Sequence, residues 1–174
     1  MGSARLAASI LSADFARLGE QVKAVEPYAD MVHVDVMDAH FVPPLTIGPV
    51  VIDSLRPVTE LPLHAHLMVD RPLGLFQELK AAGTDIVTFH VEAVADPKVV
   101  IKEAQEMEML PGVAVNPETE IAESFPYLDE LDNVIVMTLQ RTGYAGQPFQ
   151  ESSLGKIEAL REEIDGRGLS VDIV

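Results

Sequence analysis

The chain is 174 residues long, carries a formal net charge of −16 and has 48% hydrophobic side chains. That length and apolar content suffice for one domain with a sizeable core, while the acid excess disfavours nucleic acid and anionic membranes, both of which demand clustered Lys and Arg. Cysteine is absent, which excludes disulfides, thiolate nucleophiles and zinc–thiolate centres and restricts any metal to nitrogen and oxygen donors.

Taken in chain order, Met1-Gly2-Ser3-Ala4-Arg5 lacks the apolar stretch of a secretory signal, and no later run reaches the ~18 residues of a membrane helix, so a cytoplasmic protein is expected. Leu6 stands where a myristoylation motif starting at Gly2 needs Ser or Thr, and Gly2-Ser3 reads as a cloning remnant. Short apolar, β-branched runs then alternate with segments of helical periodicity. Strands are predicted at Leu6–Ile10, Met31–Val36, Leu63–Met68, Ile86–Phe89, Pro111–Val115, Val134–Met137 and Leu169–Val174. Helices are predicted between them at Phe15–Val25, Val50–Leu55, Leu73–Ala82, Pro97–Glu108, Glu120–Leu128 and Leu154–Ile164, several opened by Asp, Ser or Pro.

Strands separated by helices pair in parallel with right-handed crossovers, which leaves an open doubly wound sheet or a closed barrel. The first strand is followed by Ser9-Ile10-Leu11-Ser12-Ala13-Asp14 rather than a Gly-rich fingerprint, so a dinucleotide-binding sheet is disfavoured and the α/β barrel of TIM type is expected. Six complete units and a seventh strand are visible, and the chain stops inside an apolar run. A barrel present only through its seventh strand has unpaired edges, so self-association into a homo-oligomer is expected.

Strand alternation places His33, Asp35 and Met37 on one face of the second strand and His64, His66 and Met68 on one face of the third. An isolated buried histidine is more often satisfied by a hydrogen bond than by a metal. Burying His33, Asp35 and His66 together among valines without a cation is costly, however, and imidazole with carboxylate suits Zn²⁺, Fe²⁺, Mn²⁺ or Co²⁺. Three protein ligands with an open position describe a catalytic centre. Met37, Met68 and Met137, each at a strand end, read as core filling that doubles as an apolar pocket floor. His90 closes the fourth strand and fits a supporting or structural role as well as a catalytic one; His40 lies in a loop and reads as a surface residue. Gly143 and Gly146, in the segment 138–149 after the sixth strand, would let backbone N–H groups approach an anion, and a plain flexible connection accounts for them equally.

The ordered set Ser9-Ile10-Leu11-Ser12-Ala13-Asp14-Phe15, His33-Val34-Asp35-Val36-Met37-Asp38, Phe41-Val42-Pro43, Thr46-Ile47-Gly48-Pro49, His66-Leu67-Met68-Val69, Thr88-Phe89-His90-Val91-Glu92-Ala93 and Gly112-Val113-Ala114-Val115-Asn116-Pro117 resembles the ribulose-phosphate 3-epimerase family across essentially the whole chain. The resemblance implies a (β/α)₈ barrel of the pentose phosphate pathway that interconverts D-ribulose 5-phosphate and D-xylulose 5-phosphate with one divalent metal. It implies that His33, Asp35 and His66 are metal ligands and that Asp35 is one of two acid/base carboxylates. Ser9 and His66 become substrate contacts, and Gly143, Tyr144, Ala145 and Gly146 fall in the phosphate-side loop. The second carboxylate should begin an Asp-Gly-Gly motif directly after Val174, so the 174-residue chain is expected to be inactive or nearly so; Asp172 takes the other strand parity and is no replacement. Further departures are one extra residue in the loop 140–146, Ala39 for a usual Gly, Ala8 for a usual Pro, and His64 for a usual Asp beside His66. A related phosphosugar decarboxylase or synthase would pair Asp with Lys two positions on, and no Lys accompanies Asp35. A non-catalytic metal-binding or self-associating barrel piece is the remaining alternative.

Overall fold

The computed structural model describes residues 4–174 as seven parallel strands in a single sheet of order β1 to β7; Gly2-Ser3 lies outside the described residues. The strands are β1 Ala7–Ser9, β2 Met31–Met37, β3 Leu63–Met68, β4 Ile86–His90, β5 Leu110–Val115, β6 Asn133–Val136 and β7 Asp172–Ile173. Helices α1 Leu18–Val25, α2 Pro49–Leu55, α3 Phe76–Ala81, α4 Pro97–Glu106 and α5 Ser153–Arg167 make most of the crossovers. Local chemistry sets their ends. Asp96 accepts the Lys98 N–H at 3.1 Å with Pro97 at the first helical position, and Gly168 takes the left-handed conformation that ends α5.

One apolar core occupies the space between sheet and helices. Val32, Val34, Val36, Leu67, Phe89, Val113 and Val134 join Ile52, Phe76, Leu79, Ile101, Leu160 and Ile164 in it. Each such side chain stabilises the fold by about 1.5–3 kcal/mol. The alternate residues of the same strands look the other way, into the curl of the sheet, where Met37, Met68 and Val42 form a separate small cluster. The sheet is thus a half-barrel with helices outside and a polar inner face, and this is the expected TIM-type architecture.

Two expectations change. Residues Ile121–Glu130 form a 3₁₀ helix instead of an α-helix, because Pro126 has no N–H to donate and its ring crowds the carbonyl of Ala122. The seventh strand is shorter than its apolar run suggests: α5 and its left-handed cap consume the chain through Gly168, and only Asp172 and Ile173 pair with Asn133 and Val134. Asp172 forms an ion pair with Arg5, well away from the strand ends that carry the site.

Candidate metal centre

Register brings the inner residues of β2 and β3 side by side: His33 lies opposite His64, Asp35 opposite His66, and Met37 opposite Met68. His33, Asp35 and His66 converge at the carboxyl ends of these strands, all buried, with their donor atoms within 4.8 Å of one another. Asp35 Oδ1 sits 3.4 Å from His33 Nε2 and 3.4 Å from His66 Nδ1. Tetrahedral donors with bonds of about 2.1 Å stand about 3.4 Å apart, so these separations suit one divalent ion, and the N,N,O donor set suits the metals named above.

Neighbours hold the donors in place. Ser9 Oγ donates to Asp35 Oδ2 at 2.7 Å, which occupies the carboxylate oxygen that faces away from the imidazoles. Thr46 donates its hydroxyl to the Asp35 carbonyl at 2.6 Å and accepts the Met37 N–H at 2.9 Å, which pins the loop after β2 to the strand that carries two of the donors. Asp38 accepts N–H groups from His40 at 2.8 Å and Phe41 at 2.9 Å, and reaches across to the Asp70 N–H at 2.9 Å beyond β3. Ala39 takes φ 60°, the left-handed region where its Cβ is crowded.

Electrostatics favour an ionised carboxylate at Asp35. Burial pushes the Asp35 carboxyl up, but the His33 and His66 imidazoles beside it outweigh this and hold the group well below the usual carboxylate range. Burial drives His66 down to about 4 against the pull of Asp35. Burial first, and then the neighbouring imidazoles His33 and His66, keep His64 well below an ordinary imidazole.

Behind the donors lies a polar layer that the sequence did not disclose. His33 Nδ1 and His64 Nδ1 are 3.3 Å apart, His64 Nε2 is 2.8 Å from Thr88 Oγ1, and Thr88 donates its hydroxyl to Asn133 Oδ1 at 2.8 Å. On the other side His66 Nε2 lies 3.0 Å from His90 Nε2, and His90 Nδ1 lies 3.2 Å from Glu92 Oε2. The same alternation that marks His33 and Asp35 also marks Thr88 and His90 on β4, so parity alone could have grouped them. Gly112 sits between Thr88 and Asn133 in the register, and its missing side chain lets them meet.

A cavity of about 330 Å³ opens over the donors. It is lined by Ser9, His33, Asp35, His66, the methionines Met37, Met68 and Met137, and Gly143, Tyr144 and Ala145, with Asp35 its sole carboxylate among the described residues. Gly146 lies outside the lining and His40 lies on the surface. In the loop, Gly143 adopts φ 90° and packs against Val42, Arg141 stacks over the Tyr144 ring at 4.8 Å, and Thr142 donates to Asn116 Oδ1 at 2.6 Å.

Parallel strands with outer helices, and buried polar groups gathered at the strands' carboxyl ends, define a β/α-barrel protein with a candidate metal centre where such barrels keep their chemistry. The chain belongs to the ribulose-phosphate 3-epimerase family, a family of isomerases: the family model matches residues 5–174. It is 42% identical over 165 residues to a ribulose-phosphate 3-epimerase of Bacillus subtilis, covering 94% of this chain and 76% of the relative. It is likewise 42% identical over 167 residues to the Synechocystis enzyme of that name, covering 94% and 72%. Among solved structures, a 3-dehydroquinate dehydratase from Geobacillus kaustophilus superposes with a TM-score of 0.61 over 99% of this chain and 72% of the other; at 12% identity the likeness is one of fold alone.

Proposed function

We propose that the chain supplies the metal-holding side and one acid/base carboxylate of a site that epimerises D-ribulose 5-phosphate at C3 to D-xylulose 5-phosphate. The observation that carries this reading is the buried carboxylate of Asp35, ionised between His33 and His66 and open to a cavity floored by methionine. His33, Asp35 and His66 would hold one divalent ion, whose charge stabilises negative charge developing on the substrate's C2 and C3 oxygens. Asp35 removes the C3 proton from one face, which gives an enediolate on the sugar. Ser9 keeps the carboxylate turned toward the cavity, and the methionines exclude water that would quench the carbanionic species. Backbone N–H groups of residues 143–146 are suited to a phosphate, since glycine allows close approach. Inversion needs a second acid on the opposite face, which the family resemblance puts directly beyond Val174.

The reading also assigns a small phosphosugar as partner, not nucleic acid or membrane, a cytoplasmic setting and self-association. No helix of the described residues is long and apolar enough to cross a membrane.

The test is incubation of ribulose 5-phosphate in heavy water, followed by NMR. A chain continued through the Asp-Gly-Gly segment is expected to place deuterium at C3 and form xylulose 5-phosphate. Asp35→Asn in the continued chain should lower exchange by roughly 10²–10⁴-fold while the fold persists. Absence of deuterium at C3, or normal turnover by Asp35→Asn, refutes the assignment.

A further inference from the structure

Each candidate ligand imidazole is backed by a second imidazole, and the hydrogen bonds behind them have a direction. Glu92 is an acceptor whose Oε1 takes the Asn116 N–H at 2.8 Å; burial raises its carboxyl, but hydrogen bonds from His90, Thr119 and Asn116 outweigh this and keep it ionised. Facing Glu92 at 3.2 Å, His90 Nδ1 must carry its proton. With its proton on Nδ1, His90 has a bare Nε2, which accepts from His66 Nε2–H at 3.0 Å, the two ring planes being inclined by 19°. The lone pair of His66 is thereby left on Nδ1, the atom that faces Asp35.

The other side runs the same way. Thr88 spends its single proton on Asn133 Oδ1, so its oxygen accepts from His64 Nε2–H. His64 Nδ1 is bare and accepts from His33 Nδ1–H, which leaves the lone pair of His33 on Nε2, again facing Asp35. Both chains therefore end by aiming a lone pair at the same ionised oxygen from 3.4 Å, an arrangement that repels unless a cation sits among the three atoms. Were the Asn133 amide turned over, every bond on this side would reverse and His33 would present a proton to Asp35 instead.

We propose that His64 and His90 are positioning residues that fix the protons of His33 and His66 on the nitrogens turned away from the site, His64 through Thr88 and Asn133 and His90 through Glu92. All four histidines, with Thr88 and Asn133, are buried on the inner face of β2, β3, β4 and β6, where each link is a hydrogen bond between protein groups. The inference rests on the metal-binding half of the functional reading and on no catalytic step.

Zinc serves as the probe, with affinity measured on the 174-residue chain by competition with a chromophoric chelator. His64→Leu keeps bulk but removes the acceptor, and zinc binding should weaken by about 10–100-fold. In His64→Asn the side-chain oxygen stands where Nδ1 stood, and affinity should stay within about threefold of the parent. Nitrogen-15 NMR of the zinc-loaded protein should find His64 protonated on Nε2 only and His90 on Nδ1 only. A role in packing alone would lower the melting temperature of His64→Leu without changing zinc affinity, and that result overturns the proposal, as does either imidazole protonated on the opposite nitrogen. Should His64→Leu not fold, Thr88→Val takes its place with the same expected weakening, and unchanged affinity there is equally fatal. Failure of the unaltered chain to take up zinc overturns the metal centre itself and the relays with it.

Discussion

Replacing Gly112 by alanine probes the buried polar layer at its tightest point. A Cβ at this position would stand 2.3 Å from Asn133 Oδ1, 2.5 Å from Asn133 Nδ2 and 2.4 Å from Thr88 Oγ1, all far inside contact distance. Both neighbours are short, buried side chains on strands that pair with β5 on either side. The methyl must break the Thr88 to Asn133 hydrogen bond, which leaves two buried polar groups short of a partner at about 1–3 kcal/mol. Overpacking adds about 1–3 kcal/mol, and the stiffer unfolded chain returns about 0.4–1 kcal/mol. A net loss of about 3 kcal/mol corresponds to a fall in Tm of roughly 6–12 °C for a chain of this size. Thermal and urea unfolding followed by circular dichroism would read it. The double variant Gly112→Ala with Asn133→Ala makes room for the methyl, so it should lose at least about 1 kcal/mol less than the sum of its parts. A Gly112→Ala protein that melts within a degree or so of the parent refutes the packing argument, because no backbone reason, such as a positive φ, reserves this site for glycine.

Other outcomes follow from the same geometry. Zinc at about 100 times its Kd should stabilise the chain by about 2.7 kcal/mol, and a melting curve that ignores zinc would remove the metal centre. In metal-free protein, acid should destabilise through His66. Its folded pKa of about 4 lies below the 6.5 of the unfolded chain, so the unfolded state binds more protons between those values. Stability from this group is complete above pH ~6.5 and declines by about 3 kcal/mol as pH falls to ~4. Urea midpoints at pH 7.5, 5.5 and 4.5 that do not fall in that order would contradict the burial argument. Ala39→Gly relieves a left-handed alanine and should raise Tm by about 1–3 °C; a lower Tm would mean that the residue is unstrained.

Much of this was legible because strand parity is a local property. The alternation of His33, Asp35 and Met37 with Val34 and Val36 announced both the pocket face and the core face, and the register of β2 with β3 made the pair of donor strands coincide. The polar layer behind them was not legible. Joining His64 to Asn133 through Thr88 depends on the register of four strands and on the absence of a side chain at Gly112, which no single segment encodes. The apolar pattern at 169–174 reflected burial rather than pairing, since Val171 is buried yet precedes the short β7. Apolar spacing around Pro126 is helical, but that spacing does not distinguish a 3₁₀ turn from an α-turn, and the proline selects the former.

The carboxylate of Asp38 ties the turn after β2 to the turn after β3 with three backbone N–H groups. Thermal drift at the tip of one strand is therefore handed to the other, and His33 and His66 wander, if at all, as a pair. Coordination responds to the spacing between donors and hardly at all to where the donors sit in the molecule. One side chain that touches neither imidazole thus protects the quantity on which ion capture depends.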